Sequence, residues 1–182
     1  MGKNNIHSVE IAGIKRELPL FAVNENLKIA LFNILSDTEV VVAAARALVE
    51  KLPKEVEVLV TPEVKSVPLT FEMSRISGLP YVVTRKIRKP YMENAMSAEV
   101  VSITTGKPQT LWLDGKDKEL IKGAKVALID DVVSTGSTFQ GLRKLMSKAG
   151  AKVEAEAVVF TEGDDDQWQD VISLGHLPLF KE

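Results

Sequence analysis

The sequence predicts an α/β fold: a mostly parallel sheet flanked by helices. Short β-branched or apolar runs alternate with stretches of helical periodicity. The connections between successive runs are long enough to hold a crossover helix, which parallel strands require. One apolar run, Val126–Ile129, leads directly into two acids and a small-residue turn that opens a helix. A sheet built this way is covered on both faces, so its ligand crevice lies at the carboxyl ends of the strands.

The first strand is expected in Leu27–Leu35, a nearly continuous apolar run that reads as buried on both faces. A helix follows. Ser36 and Glu39 form an S-x-x-E capping pattern, Val40, Ala44, Ala47 and Leu48 share a face, and Pro53 forbids continuation. Val56–Thr61 is the next strand, and Leu69, Met73 and Ile76 mark a second helix closed by Gly78. Tyr81–Thr84 reads as a strand, followed by an exposed basic loop holding Arg85, Lys86, Arg88 and Lys89. Val100–Thr104 and Gln109–Leu113 predict an antiparallel hairpin around Thr105–Pro108. Val126–Ile129, the helix Phe139–Ala149 stopped by Gly150, and the strand Val153–Phe160 complete the series.

Composition narrows the function. The chain has 182 residues, 45% hydrophobic and 26% charged, which suits one compact domain spanning residues 1–182. Its 23 basic and 25 acidic side chains give a net charge of −2, so nothing sequence-wide attracts nucleic acid or anionic lipid, and neither is expected as a partner. Without cysteine there are no disulfides, thiolate metal sites or cysteine nucleophiles, and a cytoplasmic location is expected. Residues 1–10 lack an apolar leader core, and no apolar run reaches the roughly 18 residues of a membrane span.

The chemistry concentrates in Val126–Thr138. Ser134, Thr135, Gly136, Ser137 and Thr138 offer successive backbone N–H groups at a helix start, hydroxyl donors, and a glycine that permits a tight turn: a phosphate cradle. Asp130 and Asp131 supply acceptor-only carboxylates for vicinal sugar hydroxyls, or for waters around a magnesium ion with no direct metal bond. A cradle this close to an acidic pair describes a ribose 5-phosphate site. No G-x-x-x-x-G-K-[ST] and no G-x-G-x-x-G is present, which excludes Walker-type and dinucleotide sites.

This segment resembles the phosphoribosyl pyrophosphate (PRPP) motif of type I phosphoribosyltransferases. From about Ile11 to Phe160, the order of elements is similar to the adenine phosphoribosyltransferase branch. The resemblance implies transfer of the 5-phosphoribosyl group from PRPP to a nucleobase, adenine first among the purines, with release of pyrophosphate. It implies Mg2+ bound with PRPP, and a homodimer. Asp130 and Asp131 would hold the ribose and Ser134–Thr138 the 5-phosphate. Pyrophosphate would meet Lys65 in the run Glu63–Pro68, and Arg85, Lys86 and Lys89 at the start of a flexible loop, with Arg85 and Asp131 as catalytic residues.

The resemblance also implies an N-terminal hood from residues 1–25 over the base, with Ile14 and Arg16 of Ile11–Leu18 as base contacts. Where the family has a stacking aromatic, this stretch has Lys15, and Phe21 and Phe32 are the nearby substitutes. The family's glutamate before the PRPP motif has no aligned counterpart among Thr104, Thr105 and Lys107, and Glu99 and Asp114 are the nearest carboxylates. These departures motivate one alternative, a PRPP-binding regulator without transferase activity. Asp164–Asp166 reads as a solvated turn, His7 and His176 carry no motif, and Trp112 and Trp168 read as packing residues.

Overall fold

The structure is a computed structural model that describes residues 5–101 and 108–181. In chain order its strands are β1 (Ile6–Ile11), β2 (Ile14–Asn24), β3 (Leu27–Ala30), β4 (Val58–Pro62), β5 (Tyr81–Thr84), β6 (Met96–Val101), β7 (Pro108–Leu113), β8 (Lys125–Val133), β9 (Lys152–Glu162), β10 (Ile172–Leu177) and β11 (Phe180–Lys181). The helices are α1 (Thr38–Lys51), α2 (Val67–Ser77), the single turn α3 (Lys118–Ile121) and α4 (Ser137–Ala149). A five-stranded, wholly parallel sheet in the order β10-β9-β8-β4-β5 forms the centre. A four-stranded antiparallel sheet, β1-β2-β3-β11, stands beside it, and β6 and β7 form a separate hairpin.

The central strands carry apolar side chains in both phases of their alternation because both faces are covered. Leu59, Ala127, Ile129 and Ala157 face a core shared with α1 and α2. Val58, Val60, Val126, Leu128 and Val158 face a second core built with α4 and the hairpin residues Leu111 and Leu113. The β1–β2 hairpin turns at Ala12 and Gly13, both at positive φ (48° and 85°), which matches the two-residue turn that follows strand twist. No helix among the described residues is long and apolar enough to cross a membrane.

The fold corrects the sequence reading at several places. Leu27–Leu35 is not one buried strand: β3 ends at Ala30 and belongs to the antiparallel sheet, while Phe32 and Ile34 are buried from irregular backbone and Leu31 is exposed. An apolar run reports burial but not which sheet it joins. The cap of α1 is Asp37, whose carboxylate accepts from the Val40 N–H, whereas Ser36 sits at φ 69° before the helix. A carboxylate outperforms a hydroxyl there because it also meets the positive end of the helix dipole and the Arg16 guanidinium. Strand β8 runs on to Val133, so Asp130 and Asp131 lie within it.

The C-terminal segment, in which no strand is expected from the sequence beyond Phe160, adds the edge strand β10 and returns β11 to pair with β3. The antiparallel sheet that contains the N-terminal hairpin therefore has β1 and β11 as its two edges. Thr104, Thr105 and Lys107 lie outside the described residues.

Phe139, 1% exposed on α4, tests the second core. Phe139→Ala is expected to cost about 3–5 kcal/mol in denaturant unfolding, against roughly 0.5 kcal/mol or less for Phe21→Ala. Phe21 is 58% exposed, so its truncation leaves no buried cavity.

Candidate functional site

Two cavities meet at the carboxyl end of β8. The smaller, about 110 Å3, is lined by Asp130 and by residues 132–139. The larger, about 290 Å3, is lined by Glu63, Lys65, Ser66, Lys86 and Asp131 among others. Asp130, Val132 and Thr138 border both, so one elongated ligand can occupy the two.

The smaller cavity is a helix N-terminus. Gly136 caps α4 at φ 71°, a left-handed conformation that costs a residue with a Cβ about 1 kcal/mol or more. The Gly136 carbonyl accepts from the Gln140 N–H, and the Thr135 and Ser137 hydroxyls lie 3.0 Å apart. Gly136 has no side chain to cap α4; the Ser137 N–H reaches Thr135 Oγ1 at 3.4 Å, and the residues of the first turn, Ser137, Thr138 and Phe139, line the cavity. Together with the helix dipole they can bind a phosphate dianion.

At the junction, the Asp130 carboxylate accepts from Ser66 Oγ (3.1 Å) and from the Asp131 N–H (2.9 Å). Ser66 in turn accepts from Thr61 Oγ1 at 2.9 Å, a buried relay that ties the start of α2 to β8. Burial of its carboxyl, and then the charge of Asp131, push Asp130 up to about 7. Asp131 is 8% exposed, and Lys65 Nζ stands 4.0 Å from its Oδ2.

Among the described residues, no group of three or more acidic or histidine side chains converges on one point. Two adjacent carboxylates at a strand end are nevertheless the donor set that magnesium uses when substrate oxygens and water fill its other positions. Asp130 and Asp131 therefore fit a hydrated magnesium ion that arrives with a polyphosphate.

The larger cavity sets Lys65 and Lys86 beside Glu63, Asp130 and Asp131, with Arg85 next to its lining. Glu63 accepts the Lys86 N–H at 2.7 Å and pairs with Arg85 Nε at 3.1 Å. Arg85 exchanges both backbone hydrogen bonds with Trp112, which anchors the loop base to β7. Lys89 sits in a turn where its carbonyl accepts the Met92 N–H, outside both cavity linings. Arg88 instead lies over the Trp112 ring, 5.9 Å from its centroid.

Ile14 and Arg16, the expected base contacts, lie on β2. Ile14 packs on the core beneath the antiparallel sheet. Arg16 binds both Asp37 oxygens (2.7 and 2.9 Å) and Glu39 (2.7 Å), which holds Asp37 below the usual carboxylate range. That pairing fixes the hairpin to the N-terminus of α1 and leaves the guanidinium charge matched. Phe32 meets Phe160 edge to face in the core, Glu99 is exposed on β6, and Asp114 caps a short turn.

Residues the sequence reading passed over include Glu63, Ser66 and Thr61. Glu63 and Ser66 flank Lys65 in a run already singled out, but their partners lie 22 and 64 positions away, at Arg85 and Asp130. Local spacing holds no signal for such pairs. His176, without a motif, lies 2.9 Å from Thr161 Oγ1 and 3.3 Å from Asp165 Oδ1.

The comparison with known proteins follows this geometry. A hypoxanthine/guanine phosphoribosyltransferase from Methanocella paludicola is 34% identical over 118 residues, 64% of this chain, and the chain spans 58% of that relative's length. One from Methanothermococcus okinawensis is 30% identical over 131 residues, 71% of this chain and 67% of the relative. Among solved structures, an adenine phosphoribosyltransferase from Thermoanaerobacter pseudethanolicus shares the fold with a TM-score of 0.67 at 20% identity, covering 96% of each chain. The enzyme from Saccharomyces cerevisiae, solved with adenine, gives 0.63 at 17% identity, covering 95% of this chain and 93% of its own. The sequence pattern of the phosphoribosyl transferase domain spans residues 33–171, from the approach to α1 through the crossover after β9. With its cradle and acidic pair at the end of the central strand of that span, the chain belongs to the phosphoribosyl transferase domain family.

Proposed function

We propose that this protein transfers the 5-phosphoribosyl group of PRPP to a ring nitrogen of a purine base and releases pyrophosphate. The observation that carries this reading is the pair of cavities joined at Asp130: one at the N-terminus of α4, the other with Lys65, Lys86 and nearby Arg85. A ligand with a phosphate at one end, vicinal hydroxyls in the middle and a pyrophosphate at the other fits that sequence of charges. The family membership and the purine-acting relatives support it.

In this reading Ser134–Thr138 hold the 5-phosphate, and Asp130 and Asp131 accept from the ribose hydroxyls. Lys65, Arg85 and Lys86 face the pyrophosphate, and Lys89 joins them only if the basic loop closes. The C1–oxygen bond breaks with its electron pair going to pyrophosphate, the base nitrogen forms the new bond to C1, and that base then loses a proton. Positive charge grows on the ribose beside Asp131 while negative charge grows on the leaving group beside Arg85. Magnesium bound with the pyrophosphate supplies further charge neutralisation, and Asp130 and Asp131 would hold it through water. Ile14 and Arg16 are the base contacts of this reading, and Arg16 also ties their hairpin to α1 through Asp37 and Glu39. The homodimer implied by the resemblance belongs to the same reading.

Adenine is the base expected from the sequence resemblance. Relatives at 30–34% identity carry the name hypoxanthine/guanine phosphoribosyltransferase, and the adenine enzymes share the fold at 17–20% identity. Sequence similarity bears more closely on the side chains of a site than fold likeness does. Hypoxanthine and guanine are therefore the first bases to test, with adenine beside them.

Pyrophosphate release is expected from PRPP and magnesium with at least one of these purines, and Asp131→Asn is expected to lower kcat by about a hundredfold or more. PRPP binding without turnover on any base would transfer the case to the regulator. Ionised Asp130 is the acceptor form, and with its value near 7 the ionised fraction rises through neutrality. PRPP affinity is expected to increase about tenfold from pH 6 to pH 8 beyond any change seen in Asp130→Asn. Glu63→Gln keeps an acceptor for the Lys86 N–H but removes a negative charge from the anion cavity, so calorimetry should show tighter pyrophosphate binding.

A further inference from the structure

Trp168 stands 32 positions after Gly136 in the chain, yet its indole edge closes the outer side of the cradle. A Cβ built on Gly136 would lie 3.0 Å from Trp168 Cη2 and 3.3 Å from Cζ3. Such a contact is tighter than side chains normally tolerate, and the neighbour is a ring braced on several sides. Trp168 Nε1–H donates to the Glu162 carbonyl at 3.1 Å. Its own carbonyl accepts the Val171 N–H, and it packs on the cluster containing Val133 and Phe139, the two buried residues that bracket Ser134–Thr138.

The segment that delivers the indole is itself built. Asp164 caps the short turn Asp165–Trp168 and accepts the Asp166 N–H, Asp165 pairs with His176, and the Gly163 N–H donates to the Leu177 carbonyl. The crossover from β9 to β10 therefore holds Trp168 against the loop from outside. The cradle cavity is lined by Asp130 and residues 132–139, so the indole does not meet a ligand there.

We propose that Trp168 is a positioning residue for the 5-phosphate: it fixes Gly136 in the left-handed conformation that aims the cradle's N–H groups inward. The proposal rests on the phosphoribosyl reading of that loop. Within the cradle itself the side-chain support is slight, chiefly the Thr135–Ser137 hydroxyl contact. A loop that must be ordered on binding loses affinity, and one held beforehand does not. Glycine is thus required at 136 for two separate reasons, its φ and the indole beside it. The 5-phosphate lies away from the reacting carbon, so the effect of Trp168 falls on KM for PRPP more than on kcat.

The test is a double-mutant cycle read by calorimetry with ribose 5-phosphate, alongside PRPP kinetics. Trp168→Ala is expected to weaken ribose 5-phosphate binding about tenfold and raise KM for PRPP similarly, with kcat within about twofold. Gly136→Ala should cost several-fold more affinity with Trp168 present than in the Trp168→Ala background, because removing the ring relieves the clash. In a Trp112→Phe protein, where Trp168 is the remaining indole of two, ribose 5-phosphate should shift its fluorescence. Trp168→Phe, which keeps a ring but loses the Nε1–H bond, should fall between wild type and alanine, and serves if the alanine variant does not fold. Equal ribose 5-phosphate affinity in folded Trp168 variants, or the same cost of Gly136→Ala in both backgrounds, overturns the proposal alone. A wild type that binds neither ribose 5-phosphate nor PRPP overturns the phosphoribosyl reading and this proposal together.

Discussion

The site depends on the burial of β8 between β4 and β9 with both faces covered. Such a strand cannot bend to suit a ligand, because Val126, Ala127, Leu128 and Ile129 are each held in a core. Its acidic pair, Asp130 and Asp131, follows that apolar run and borders the crevice. The rigidity of the strand sets their position, and the position of α4 follows from where the chain must turn. A phosphate cradle and an acidic pair are adjacent because one strand end supplies both.

Around that fixed point the loops on the β4 and β5 side are joined by polar contacts. Ser66 connects the start of α2 to Asp130, Glu63 connects the loop after β4 to the segment after β5, and Arg85 connects that segment to the hairpin through Trp112. Such contacts are individually modest and can be exchanged for ligand contacts, which apolar packing cannot. A buried carboxyl raised towards neutrality, beside a second one, is also an environment that welcomes a cation or a hydroxyl donor. The crevice is thus stable without a ligand and still able to take one.

Much of the fold was legible because local signals agreed with it. Apolar runs, the positive-φ glycine at the end of α2, and the switch from strand to helix at Ser134–Thr138 are written within a dozen residues each. Legibility failed where two segments met from far apart. Leu27–Leu35 carries the composition of a buried strand but divides between an antiparallel strand and irregular backbone. Arg16 is read from the sequence as a base contact, with no sign there of Asp37 and Glu39, each 2.7 Å from it in the fold. Trp168 reads as packing, which it is, without any sign that the cradle is what it packs against.

By itself the sequence determined the α/β class, the alternation that makes the sheet parallel, and the strand–acid–cradle–helix order of the site. Each of these follows from periodicity or from residues adjacent in the chain, where covalent connection guarantees proximity. Tertiary structure alone decided that β11 completes the N-terminal sheet, that Glu63 engages Arg85, and that Ser66 reaches Asp130. Those pairings depend on which surfaces the two cores bring together, and a contact between residues dozens of positions apart leaves no period or spacing to read.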